Sequence, residues 1–167
     1  MSGEGAISLL TLALTAKVAA SPRRVWRVLM SPAAAAHWLP NHEGWIDAPP
    51  PVFVPLCPLR FRSRMNRLPV NAEARLLEAR PGRARVQLRL GLFAFEARFA
   101  IGREAGDGGG SRVGLVASFA NEVPVVSNSL DRFAVKRLAS QLAEQTLAAL
   151  AQQAEYAETT ADAEDSN

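Results

Sequence analysis

Few side chains in this sequence have the type and spacing that metal or acid–base chemistry needs. His37 and His42 are five residues apart, and Cys57 follows fifteen residues later, across a proline-rich stretch. Structural zinc sites use four nitrogen or sulfur ligands at short, regular spacings, so these three residues predict no metal site. We expect neither a metal nor another cofactor, and we place His37 at the rim of a site or at a helix end.

One carboxylate is a candidate general acid. Glu78 shares its strand phase with Ala74 and Leu76, and a carboxyl group buried there would have a raised pKa. A solvent-exposed position at a strand end is the alternative, and it is the commoner situation for glutamate. The other strand positions that point inward hold no Asp, Glu or His, so the sequence favours a binding protein over an enzyme.

Length and composition fit one globular domain. The chain has 167 residues, of which 49% are hydrophobic and 21% charged, which is ordinary for a domain with a real core. The longest apolar run is far shorter than the roughly 20 residues that span a bilayer. A single cysteine, Cys57, excludes an intramolecular disulfide.

The apolar segment 7–26 could be a secretory signal or a strand. Glu4 lies where a signal peptide needs positive charge, and Lys17 interrupts the apolar run. Leu10, Leu12 and Leu14 alternate with Thr or Ala, which is typical of a half-buried strand. We therefore predict a strand and a cytoplasmic protein.

Charge is unevenly distributed along the chain. Residues 155–167 hold five of the 16 acidic residues and no Lys or Arg, which leaves 19 basic and 11 acidic residues elsewhere, a net charge of +8. Acidic, polar segments of this kind bury too little apolar surface to fold. We predict a flexible terminus at 1–5, one domain at 6–156 and an acidic disordered tail at 157–167.

Local patterns predict the order of the elements. Ser21-Pro22 and Ser31-Pro32 each predict a helix start, because the serine oxygen caps the first turn and proline has no N–H to leave unpaired. Six alternating segments between residues 43 and 122 predict antiparallel strands. Helical periodicity from Leu130 to about Tyr156 predicts a long amphipathic helix with an alanine-rich inner side.

This order, with the segment SPRRVWRVLMSPAAAAHWLP, resembles the START-like SRPBCC superfamily, also described as polyketide cyclase/dehydrase-like. The resemblance covers Ile7 to Glu155. It implies an α+β, helix-grip (START-like) fold: a curved seven-stranded antiparallel sheet, two short helices after strand 1, and a long C-terminal helix over the concave face. The positions that match the superfamily's opening pattern are Pro22, Val25, Trp26, Leu29, Pro32 and Trp38.

The same resemblance implies a cavity between sheet and helix that binds a hydrophobic or aromatic small molecule, such as a lipid, quinone or polyketide-like compound. Ser63, Asn121 and Thr146 would be the polar groups that orient it. A cyclase or aromatase-like enzyme using the same cavity is the alternative, and dense packing without a void is another. The lining would comprise Trp38, Trp45, Phe61, Ser63, Met65, Val86, Leu88, Phe95, Phe99, Phe119, Asn121, Leu138, Leu142 and Thr146.

Arginines on the opposite strand faces give a third hypothesis, an interaction protein. Arg60, Arg62 and Arg64 share one outward phase, and Arg85 and Arg89 share another. A basic convex face could attract RNA, ribosomes or anionic lipid. Cross-strand glutamates could instead make it an ordinary solvated face, and the lack of aromatic residues in that phase argues against nucleic acid.

The proline-rich segment DAPPPVFVPLCPL, residues 47–59, predicts an edge strand or a loop over the cavity opening, because proline cannot join a central strand. Val52, Phe53 and Val54 could form an apolar lid or a self-association patch, and the protein could be a monomer or a homodimer.

Overall fold

The computed structural model describes residues 9–65, 67–91, 93–106, 108–120 and 129–164. Within these residues, seven strands and three helices follow the predicted order of one strand, two helices, six strands and one helix. The strands and helices are β1 (Leu9–Val18), α1 (Pro22–Leu29), α2 (Pro32–Trp38), β2 (Gly44–Trp45), β3 (Leu59–Met65), β4 (Leu68–Arg80), β5 (Arg83–Leu90), β6 (Phe93–Arg103), β7 (Ser111–Ala120) and α3 (Ser129–Glu164).

The seven strands form one antiparallel sheet in the order β1-β7-β6-β5-β4-β3-β2. The chain therefore folds as a meander from β2 to β7, and β1 pairs with β7 along all ten of its residues. The apolar segment near the start of the chain is thus a strand of this sheet, as its alternation predicts. The α+β, seven-stranded helix-grip architecture is confirmed.

Two short helices follow β1, and their caps are those that the sequence predicts. The hydroxyl oxygens of Ser21 and Ser31 accept hydrogen bonds from the N–H groups of Arg24 and Ala34, each at 3.3 Å. A proline occupies the first turn of both helices. The caps satisfy N–H groups that a helix start otherwise leaves unpaired.

The core lies between the inner face of the sheet and the three helices. Helix α3 contacts β1, β7, α1 and α2, and its alanines at Ala139, Ala143 and Ala154 are buried. Small side chains on this face let the helix axis approach the neighbouring elements closely. Burial of apolar side chains from the inner face of the sheet and from the helices supplies the main stabilisation of the fold.

Helix α3 is longer than the sequence predicts. Its expected end was near Tyr156, with a disordered tail from residue 157, whereas the helix runs to Glu164. Alanine and glutamate are strong helix formers, and neither glycine nor proline interrupts residues 157–164. Among the residues described, no helix has the length and apolarity needed to cross a membrane.

Candidate ligand-binding site

Register across the sheet brings the large inner side chains into one row. Leu88 pairs with Phe95, Phe95 with Phe119, and Phe119 with Leu10. The rings of Phe95 and Phe119 stack with centroids 4.9 Å apart. Because paired residues of adjacent strands point to the same face, this row forms an aromatic and aliphatic floor beneath the helices.

An aromatic corner lies at the β2–β3 edge of that floor and is formed by His42, Trp45 and Phe61. The imidazole of His42 stacks on the Phe61 ring at 5.0 Å, with planes inclined by 14°. The indole of Trp45 meets both rings edge-on, at 4.6 Å from His42 and 5.8 Å from Phe61. Such geometries are the favoured arrangements of aromatic pairs.

The chain between α2 and β2 positions His42 in this corner. Asn41 adopts a left-handed φ of 47°, a conformation that asparagine tolerates better than most residues. Its side-chain amide donates to the carbonyl of Arg64 at 3.0 Å. The N–H of Glu43 then donates to the carbonyl of Arg62 at 2.8 Å, which starts the β2–β3 pairing and directs His42 toward Phe61.

Ser63 lies on the same face of β3 as Phe61 and is buried. Its hydroxyl donates to the carbonyl oxygen of Pro40 at 2.8 Å, which ties β3 to the segment that carries His42. The serine oxygen retains lone pairs that can accept a further hydrogen bond.

Two buried nitrogen atoms on this side of the sheet have no hydrogen-bond partner among the described residues. They are Nε1 of Trp38 and Nε2 of His42. The Trp38 indole packs edge-on against Phe99 at 6.0 Å and is almost completely buried. An unsatisfied buried donor or acceptor costs about 1–3 kcal/mol, so each atom is a favourable place for a polar group of a ligand.

The pKa of His42 is lowered from its ordinary value. Burial of the imidazole among apolar rings is the main cause, the nearby His37 adds to it, and a hydrogen bond to the main chain of His42 opposes it. A lowered pKa means that His42 is neutral at pH 7, so its ring nitrogens include one donor and one acceptor.

Helix α3 faces the sheet with buried Leu142 and Thr146 and half-buried Leu138. The Thr146 hydroxyl donates to the carbonyl of Leu142 at 2.7 Å, one turn earlier in the same helix. Thr146 is therefore satisfied within α3 and can offer a ligand only its acceptor lone pairs.

The structure brings most of the predicted lining to one side of the sheet. Trp45 and Met65 are half-buried, His37 is exposed at the end of α2, and Asn121 lies outside the described residues. The residues that are buried on this side are Trp38, Phe61, Ser63, Val86, Leu88, Phe95, Phe99, Phe119, Leu142 and Thr146.

Glu78 is not on the inner face, so its predicted phase is wrong. The β4–β5 register shifts between Leu76 and Glu78, and Glu78 pairs with Arg85 on the outer face. The Glu78 side chain is 48% exposed and lies 2.9 Å from Nε of Arg80. One extra residue at a β-bulge reverses the phase of the strand beyond it.

The outward arginines lie on the outer face as predicted, and Arg62 and Arg89 are exposed there. Several others are paired with carboxylates, which lowers the positive charge of that face. Such exposed pairs are typical of a solvated sheet surface. Ion pairs on this face include Arg60–Asp47, Arg64–Glu43, Arg85–Glu96 and Arg98–Glu96.

The described residues contain no group of three or more His, Cys, Asp or Glu side chains that could hold a metal ion. His42 stacks on Phe61 rather than approaching Cys57, which is exposed.

The sequence does not indicate the position of His42 against Phe61. In the sequence it appears only as a possible metal ligand, because its partner Phe61 is nineteen residues away. A local signal is that His42 and Trp45 lie three residues apart, next to and within the short strand β2. This spacing indicates an aromatic cluster only once β2 is known to pair with β3.

Comparison with known proteins identifies the family and the fold. A family described as "Polyketide cyclase / dehydrase and lipid transport" matches residues 10–155. No curated protein sequence matches the chain.

Among solved structures, a START superfamily protein from Mycobacterium smegmatis is 20% identical, with a TM-score of 0.67 over 87% of this chain and 97% of that chain. The Zhui aromatase/cyclase from a Streptomyces species is 14% identical, with a TM-score of 0.70 over 88% and 94%. A Chromobacterium violaceum protein is 21% identical, with a TM-score of 0.61 over 87% and 96%. At these identities the likeness shows the fold.

Proposed function

Because this chain belongs to the polyketide cyclase / dehydrase and lipid transport family, we propose that it binds a hydrophobic or aromatic small molecule between the inner face of the sheet and α3. Family and fold support a hydrophobic ligand-binding or cyclase-like role in general. The binding role is the one that the chemistry of the site favours.

The observation that carries this proposal is that two buried nitrogens, Trp38 Nε1 and His42 Nε2, have no hydrogen-bond partner in the part of the chain that the structure describes. Aromatic rings pack against both residues, and ligand sites combine an apolar lining with a few polar groups that fix orientation. The indole N–H needs an acceptor, and the neutral imidazole accepts or donates according to its tautomer. A carbonyl or hydroxyl group on the ligand meets these requirements.

Apolar burial supplies the affinity in this proposal. Removing about 200 Å² of ligand surface from water contributes about 5 kcal/mol, and aromatic ligands gain further from stacking on the Phe95–Phe119 pair. Binding needs neither a metal nor a cofactor. We expect a cytoplasmic monomer or homodimer, which size-exclusion chromatography coupled to light scattering can distinguish.

Calorimetric titration with a long-chain fatty acid, a naphthoquinone and a flavonoid tests the proposal. At least one class should bind with near-equimolar stoichiometry and a negative heat-capacity change, the marker of apolar burial. Lack of saturable binding by all three classes, in protein first stripped of lipid by organic solvent and refolded, would contradict it.

A cyclase or aromatase-like enzyme is the second candidate, and the neutral His42 is the observation that favours it. A lowered pKa keeps this imidazole unprotonated, so it can accept a proton from an activated carbon of a poly-β-ketone. Conversion of such a substrate that is lost in His42→Gln would support catalysis. Binding without turnover would favour the carrier.

A further inference from the structure

The segment rich in proline between β2 and β3, residues 48–58 and here termed the proline segment, exposes three large apolar side chains. Val52 is 59% exposed, Val54 is 50% exposed and Leu56 is 66% exposed. Exposed apolar residues are ordinary when isolated, whereas three of them within five residues are a candidate interaction site.

The proline segment is anchored, so these side chains are held outward. The N–H of Phe53 donates to the carbonyl of Met30 at 3.0 Å, and that of Leu56 donates to the carbonyl of Leu76 at 2.8 Å. The Phe53 side chain packs against the core. Prolines further restrict the backbone, because each fixes its own φ.

Helix α1 adds positive charge beside the segment. Arg23 and Arg27 are exposed one turn apart, Trp26 is half-buried between them, and the first turn of α1 has no acidic residue. A surface groove of about 460 Å³ joins these three residues to Pro51 and Val52. Val52, at the middle of the proline segment, therefore adjoins the basic residues of α1.

The carboxylates that border the proline segment lie at its other end. Asp47 and Glu73 line a second groove there, together with Val54 and Arg60. Arg60 forms a two-bond pair with Asp47, with the shorter bond at 2.8 Å. The charge next to Val52 is therefore that of Arg23 and Arg27.

We propose that α1 and the proline segment form a docking surface for bilayers that contain anionic phospholipid. Val52, Val54 and Leu56 enter the boundary between head groups and acyl chains, which is the mode of apolar side chains in interfacial proteins. Trp26 lies at head-group level, where tryptophan is enriched. Arg23 and Arg27 attract lipid phosphates, at about 1 kcal/mol per basic residue near an anionic surface.

A second copy of the chain fits this surface less well. A second copy carries the same net positive charge of +3, which weakens its attraction to a surface that already presents Arg23 and Arg27. An anionic bilayer complements both the apolar and the basic parts. The proposal goes beyond ligand binding, because docking needs only this outer surface.

Flotation with vesicles tests the proposal on the full chain. Vesicles of phosphatidylcholine with about 30 mol% phosphatidylglycerol should bind the protein, and vesicles of phosphatidylcholine alone should bind it at least tenfold more weakly. Binding to the anionic vesicles should fall as salt rises, because salt screens exposed charge. The lack of any binding to anionic vesicles at low salt would overturn the proposal.

Matched variants locate the surface. Val54→Asp/Leu56→Asp and Arg23→Glu/Arg27→Glu should each lower vesicle affinity at least tenfold. Leu56 has a φ of 64°, which aspartate adopts more readily than leucine, so the substitution adds no backbone strain. Two control variants should keep at least half of the wild-type affinity. They are Leu68→Asp, at an equally exposed leucine at the start of β4, and Arg62→Glu/Arg89→Glu on the outer face of the sheet.

Equal losses in the control and test variants would contradict the assignment of this surface. A stable dimer that Val54→Asp/Leu56→Asp dissociates, together with no vesicle binding by the wild-type protein, would assign the surface to a second copy and overturn the proposal. Circular dichroism of each variant verifies the fold.

Discussion

The imidazole of His42 lies nearly parallel to the ring of Phe61, with centroids 5.0 Å apart. This stack joins the segment after α2 to β3 and holds a neutral histidine against the apolar side of the sheet. Its Nε2 atom and the Nε1 atom of Trp38 have no partner among the described residues. The proposed ligand site rests on these two atoms.

Stability should fall on acidification because of His42. Its folded-state pKa lies below the unfolded value of about 6.5, so the unfolded chain binds a proton more readily than the folded chain. The stabilisation is therefore complete above pH 6.5 and is lost as pH falls through the folded pKa. Urea unfolding from pH 7.5 to pH 5 should show a smaller decline in His42→Gln than in wild type. An equal decline in wild type and His42→Gln would contradict a lowered pKa at His42.

Ligand affinity should depend on the two buried nitrogens. Trp38→Phe and His42→Gln should each weaken binding of a ligand with a polar end by about tenfold, the equivalent of one hydrogen bond of about 1.4 kcal/mol. Trp26→Phe and His37→Gln are the matched controls, since both residues lie away from the inner face. Calorimetric titration of the four variants measures their ligand affinities. A loss of affinity in Trp26→Phe as large as in Trp38→Phe would exclude a specific role for Nε1 of Trp38.

Loss of the Ser63 hydroxyl should destabilise the fold. Ser63 and Pro40 are both buried, so Ser63→Ala leaves the proline carbonyl without its donor at a cost of about 1–3 kcal/mol. Ser140→Ala is the control, because the Ser140 hydroxyl donates to the Lys136 carbonyl at an exposed position, and its effect should stay within about 0.5 kcal/mol. Urea unfolding at pH 7.5 measures both free energies, and equal values would contradict the importance of the Ser63–Pro40 bond.

The β4–β5 turn should require glycine at position 82. Gly82 has a φ of +80°, and a Cβ there would lie 3.1 Å from the carbonyl oxygen of Ile101. Gly82→Ala should cost about 1–2 kcal/mol, the penalty for an L-residue in this region. At Gly102 nothing lies within 4 Å of the added Cβ, so Gly102→Ala should be neutral or stabilise by up to about 1 kcal/mol. Thermal unfolding compares the stabilities of the two variants. A Gly82→Ala variant as stable as wild type would contradict the turn geometry.

Elements with strong local signals could be predicted from the sequence. Ser21-Pro22 and Ser31-Pro32 specify two helix starts through contacts within three residues. Strand alternation likewise identified Phe61, Leu88 and Phe95 as inner residues, because successive strand side chains point to opposite faces.

The rest depends on contacts between distant residues. A register shift next to Glu78 moved that carboxylate to the outer face, and no residue type in the segment signals a bulge. The His42–Phe61 stack requires the β2–β3 register. That pairing joins strands that the long proline segment separates in the sequence, so local patterns do not predict it. Acidic composition predicts disorder after Tyr156, but the helix propensity of alanine and glutamate extends α3 to Glu164.

Mass spectrometry of protein purified from its own host, first intact under native conditions and then after organic extraction, tests ligand binding. We predict one hydrophobic compound with a carbonyl or hydroxyl group, bound at near-equimolar amount and depleted in the Trp38→Phe/His42→Gln double variant. Protein that carries no small molecule, and that also binds none of the three ligand classes in titration, would contradict a ligand-binding role.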